Sequence, residues 1–150
     1  MSTDILPGQF AIAPDGTKIW THACGNPTKP AVVFIHGFVF TADVFEKQYV
    51  NPTMLENLYI IRYDLRGSGR SDGPMSEQAY SSEHQAEDFK AVIDTFNVQK
   101  PFVATWSFGG LVPSDVLAKY GPDSIAGVIL LGSFMYGSAY TEHQLYLEDG

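Results

Sequence analysis

Pro101-Phe102-Val103-Ala104-Thr105-Trp106-Ser107-Phe108-Gly109-Gly110-Leu111-Val112 is the stretch that decides the fold of this 150-residue chain. An apolar run from Pro101 to Ala104 leads into Thr105-Trp106-Ser107-Phe108-Gly109, and Gly110-Leu111-Val112 opens a helical pattern. Strand, sharp turn and helix in that order lift a serine hydroxyl above the end of a sheet. A serine so placed needs a histidine base and a carboxylate to orient that base.

The flanking segments extend the alternation. Ala31-Val32-Val33-Phe34-Ile35 is a continuous apolar run, as a strand buried on both faces requires. Leu58–Tyr63, Phe102–Thr105 and Ile125–Leu131 read as further strands. Helices are predicted over Thr41–Tyr49, closed before Asn51-Pro52, over Ser82–Phe96 and over Phe108–Tyr120. In the second of these, Ser82 and Gln85 form a capping box, and Ala86, Phe89, Val92, Ile93 and Phe96 recur at helical spacing. Gln9–Ala13 and Thr17–Cys24 flank the turn signal Pro14-Asp15-Gly16 and predict a hairpin. From residue 31 onward strand and helix alternate, so the expected class is α/β, a mostly parallel sheet with helices on both faces.

Composition sets the outer bounds. The length fits one domain with a real core. The chain is 45% apolar and 17% charged with a formal net charge of −8, an acidity that disfavours nucleic acid or an anionic membrane as partner. The single cysteine, Cys24, excludes an internal disulfide and a cysteine-rich zinc site. No spacing of His, Cys, Asp and Glu matches a metal site, and no cofactor is expected. The N-terminus shows no secretory pattern and no apolar stretch is long enough to span a bilayer, so a cytoplasmic protein is expected.

Ligands of open α/β sheets sit beyond the carboxyl ends of the strands. Three unusual segments fall there in succession: His36-Gly37-Phe38, Asp64-Leu65-Arg66-Gly67-Ser68-Gly69-Arg70-Ser71, and the turn at Ser107. Taken together, His-Gly after a buried strand, Tyr-Asp-x-Arg-Gly-x-Gly-x-Ser after the next and x-Ser-x-Gly after the third resemble the α/β-hydrolase fold family over about residues 8 to 134. The resemblance implies that Ser107 is the nucleophile, at a nucleophile elbow. It also implies an oxyanion hole formed by the backbone N–H groups of Phe38 and Phe108. Losing one such donor in a comparable enzyme costs about 3–4 kcal/mol. His36, Gly37, Trp106 and Gly109 would shape the supporting loops, Gly109 because the helix presses on the strand behind the elbow. Asp64 would stabilise the Gly67-Ser68-Gly69 turn, braced by Arg66. Thr105 departs from the glycine usual at its position. Relatives that open epoxides or displace halide carry aspartate at the elbow, so Ser107 points instead to ester, amide, peracid or carbon–carbon bond hydrolysis on a small acyl-type substrate.

The family's triad runs in the order serine, acid, histidine, with acid and histidine beyond the sixth strand. Ile125–Leu131 is that strand here, so the expectation is a single α/β-hydrolase domain, incomplete after it, with residues 135–150 beginning a lid. Ser107 would then lack its base within the chain, and the apolar edge at Ile125–Leu131 would invite self-association. A non-catalytic binding module or a truncated gene product is the alternative. His22, His84 and His143 are read as surface residues, and Asp115, about 12 Å along its helix from Ser107, as too distant to couple.

Overall fold

The computed structural model describes residues 7–135. Six strands form one sheet in the order β1-β2-β4-β3-β5-β6. The hairpin joins β1 (Gln9–Ile12) to β2 (Lys18–Gly25) antiparallel, and β2 pairs antiparallel with β4 (Tyr59–Tyr63). The remaining pairs are parallel: β3 (Ala31–Ile35) lies between β4 and β5 (Phe102–Trp106), and β5 pairs with β6 (Gly127–Leu131).

Alternation along the strands divides the core in two, because successive side chains leave opposite faces of a sheet. Val33, Ile35, Ile61, Tyr63 and Val103 face one way, against Phe89, Val92 and Ile93 of α3 (Ser82–Thr95) and Val112 and Val116 of α4 (Leu111–Tyr120). Val32, Phe34, Ile60 and Ala104 face the other way, against Phe45 and Tyr49. Those two belong to a 3-10 turn over Ala42–Phe45 and to α1 (Glu46–Tyr49), which α2 (Pro52–Asn57) follows. Helices therefore cover both faces, as expected.

Local details differ from the sequence expectation. The predicted helix Thr41–Tyr49 is a 3-10 turn followed by a single α turn. Asn51-Pro52 opens a helix as well as closing one: the Asn51 side chain accepts from the Met54 N–H and Pro52 sits at the first helical position, where a missing N–H costs nothing. The N-cap of α3 is Ser81, whose hydroxyl accepts from the His84 N–H, one residue ahead of the capping box expected at Ser82.

Register fixes the site. Ile35 of β3 is level with Tyr63 of β4 and with Thr105 of β5, so His36, Asp64 and, one residue further on, Ser107 leave the sheet at one edge. Trp106 is level with Leu131, which brings Gly132 and Ser133 to the same edge.

Candidate active site

The chain leaves β5 through a turn that L-residues resist. Trp106 is extended (φ −121°, ψ 130°), but Ser107 has φ +52°. A non-glycine residue in the left-handed region stores of order 1–3 kcal/mol and persists only where its surroundings enforce it. Here the surroundings are close. A Cβ added at Gly109 would lie 2.6 Å from the carbonyl oxygens of both Ile35 and His36, so the 3-10 turn over Ser107–Gly110 runs hard against the end of β3. A Cβ at Gly37 would lie 3.1 Å from the Ser107 Cβ and 3.3 Å from the Trp106 ring. Glycine at both positions lets the loop after β3 and the turn after β5 touch.

That contact brings together Ser107, His36, Gly37, Phe38, Trp106, Phe108 and Gly109. Above it the aromatic rings pair: Phe38 with Phe108 at 5.9 Å between centroids, and Phe40 with Trp106 at 4.8 Å. Phe38 is 70% exposed, so its ring forms an open apolar rim. Val39, the next residue, has φ +58°, a further strained position in this loop and one that a β-branched residue rarely adopts.

His36 is a structural group. Its ring is fully buried; Nδ1–H donates to the Gly37 carbonyl (2.7 Å) and Nε2 accepts from the Leu65 N–H (2.9 Å). Burial holds its pKa below the ordinary histidine value, so both nitrogens are committed in the neutral ring. It ties the loop after β3 to the loop after β4.

Asp64 has the role expected of it, through a different arginine. Its carboxylate accepts from the Ala42 N–H (2.8 Å), the Arg70 N–H (2.9 Å) and the Arg70 guanidinium (2.7 Å). Burial pushes this carboxyl upward, but the Arg70 bonds and the two N–H groups win and hold it below the usual range. Arg66 points elsewhere, making two 2.7 Å bonds to Asp88 of α3, with both side chains fully buried, and a third to Asp15 in the hairpin turn. It braces the loop against α3, while Arg70, flat over Trp20 at 3.4 Å, braces Asp64.

Elsewhere, His22 is buried rather than at the surface, because its place on β2 sets it against the rings of Trp20 and Tyr49, and His84 pairs with Glu87 (3.0 Å). Asp115 bonds to Ser82 and its carboxyl is raised by burial. His143 and the lid expected over 135–150 fall outside the described residues, apart from Met135. Among the described residues no three His, Cys, Asp or Glu side chains gather as a metal ion would need. No described helix is long and apolar enough to cross a membrane. A cavity of about 570 Å³ opens between α3 and α4, floored by Phe89, Ile93, Val98 and Val116, but it does not include the Ser107 turn.

One participant carries no signal in the sequence. The Ser133 hydroxyl, past the end of β6, donates to the Ser107 carbonyl oxygen (2.5 Å) and accepts from the Thr105 hydroxyl (3.1 Å). Only the β5–β6 pairing brings it there.

Comparison with known proteins places the fold in a family. The family described as alpha/beta hydrolase fold matches residues 30–147. The esterase RhEst1 from Rhodococcus sp. ECU1013 superposes with a TM-score of 0.79 at 31% identity, covering 87% of this chain and 47% of that one. The AB hydrolase superfamily protein YisY of Bacillus subtilis is 31% identical over 102 residues, 68% of this chain and 37% of the relative. A Mycobacterium tuberculosis protein named "Probable oxidoreductase EphD" is 40% identical over 89 residues, 59% of this chain but 15% of its own length. The chain belongs to the α/β-hydrolase fold family. It spans less than half the length of these relatives.

Proposed function

We propose that Ser107 is the nucleophile of a serine hydrolase acting on a small acyl-type substrate. The observation that carries this reading is the left-handed backbone at Ser107, held between Gly109 and Gly37 where the loops after β3 and β5 meet. Strain of this kind gathers at functional sites. In the reaction the Ser107 Oγ attacks the substrate carbonyl carbon while its proton passes to a histidine base. The N–H groups of Phe38 and Phe108 hold the resulting oxyanion. Collapse expels the alcohol or amine with the proton returned by the histidine, and water then releases the acid from the acyl-enzyme. Histidine and acid belong to the part of the family domain that follows the sixth strand. The alternation of the rim, Phe38 with Phe108 and Phe40 with Trp106, suits an uncharged acyl group.

Epoxide opening needs a carboxylate at the elbow, and a hydroxyl stands there, which favours the esterase reading. The name EphD carries belongs to a protein of which only a small part is matched. On β6, Ile129, Leu130 and Leu131 are 40–48% exposed, an apolar edge open to a further strand of the same sheet or to a second copy.

A fluorophosphonate probe tests the proposal. Labelling at Ser107 that vanishes in Ser107→Ala, with the circular dichroism spectrum unchanged, supports it. The probe is applied to the protein carrying the histidine and acid that follow the sixth strand; if that protein is folded and stays unlabelled, the proposal is refuted and a ligand-binding module stands in its place.

A further inference from the structure

We infer that Thr105 and Ser133 are positioning residues that aim the Phe108 N–H at the oxyanion; the inference rests on the reading of Ser107 as nucleophile. The Ser107 carbonyl can only accept, so the one proton of the Ser133 hydroxyl is committed to it (2.5 Å). The bond between the two hydroxyls (3.1 Å) must then be donated by Thr105, giving a relay from Thr105 to Ser133 to the Ser107 carbonyl with a single direction. Thr105 is fully buried, which leaves its hydroxyl in need of such a partner.

The carbonyl so held is one edge of the Ser107–Phe108 peptide. That peptide is planar and trans, with no cis bond in the described chain, so its N–H points away from its C=O. Fixing the oxygen from the β6 side therefore fixes the direction of the Phe108 N–H on the other side. An acceptor bond at the carbonyl also polarises the amide and strengthens that N–H as a donor. The neighbouring Gly110 belongs to the same device: a Cβ there would collide with the Ser133 Oγ and the Phe134 carbonyl, so the close approach of the β6 exit depends on it. Threonine in place of the glycine usual at this position is thereby explained. A glycine would leave Ser133 without its donor.

The test uses the protein together with the histidine- and acid-bearing part that follows the sixth strand, and reads the saturating rate of fluorophosphonate labelling, separated from the probe's binding constant, because the phosphonyl oxygen occupies the oxyanion position. Ser133→Ala should lower the saturating rate about tenfold, short of the 10²–10³ lost when a donor is removed outright, and move the binding constant less than about twofold. Thr105→Val should do the same, and Thr105→Ser, which keeps the hydroxyl, should restore the rate. Since the groups act in series, adding Thr105→Val to Ser133→Ala should change the rate no further. Wild-type labelling with Ser133→Ala at the wild-type rate overturns the relay while sparing the nucleophile. So does a double variant whose loss is the product of the single losses. A wild type that is not labelled at Ser107 overturns the nucleophile and the relay together.

Discussion

Gly109→Ala tests the contact that shapes the elbow. The added methyl would stand 2.6 Å from two carbonyl oxygens, those of Ile35 and His36, whereas ordinary contact begins near 3.4 Å. Both obstacles are backbone, at the last residue of β3 and the one that follows it, so neither can turn aside as a side chain would. The first turn leading into α4 must instead withdraw by about 0.8 Å, the shortfall from van der Waals contact. Overpacking of this kind costs about 1–3 kcal/mol, and the alanine's better helix propensity returns at most about 1 kcal/mol. A net loss of about 2 kcal/mol is expected, read as a lower urea midpoint at unchanged slope. Because displacement by about 1 Å can cost 10²-fold in reactivity, fluorophosphonate labelling of Ser107 should fall by about that factor. Gly121→Ala is the contrast: φ is +87° there and nothing lies within 4 Å of the added Cβ, so it reports backbone strain without a clash, whereas Gly109→Ala reports the clash. A Gly109→Ala chain with wild-type midpoint and labelling would refute the claim that the elbow is pressed against β3.

Two further outcomes concern the supporting loops. Asp88→Ala leaves the buried Arg66 guanidinium with Asp15 and the Ala79 carbonyl as partners and should destabilise the chain by about 3 kcal/mol, the low end for breaking a buried pair, while Arg66→Met with Asp88→Leu should recover part of that in urea unfolding. His36 is neutral in the folded state and its folded pKa lies below the ordinary value of about 6.5, so the unfolded chain binds the extra proton first. Its contribution is complete above pH ~6.5 and is lost as pH falls through the folded value. Stability measured from pH 7.5 to 5 should therefore decline on acidification, and His36→Gln should flatten that decline.

Much of this was legible in residue order. The buried runs Ala31–Ile35 and Leu58–Tyr63 announce strands because only a central parallel sheet hides both faces, and Ser107 is flagged by the small residues its turn demands. What stayed hidden depends on partners distant in sequence. Whether Arg66 or Arg70 reaches Asp64 is decided by the course of the loop, since both lie within a few residues of it. Thr105 reads as a mere departure from a glycine pattern until β6 delivers Ser133 to its side. Asn51-Pro52 is ambiguous locally, as the same pair that ends one helix caps the next. The positive φ of Val39 has no composition signal at all, because valine is the residue least expected there.

The strand order carries a kinetic consequence. β3 pairs on one side with β4, the next strand along the chain, and on the other with β5, which follows only after α3. Long-range parallel pairing of this kind forms slowly. Ser107 can be forced into its left-handed turn only once that last gap beside β3 has closed. Formation of that turn would therefore mark the docking of β5 against β3, and any signal specific to the turn would serve as a stopwatch for refolding.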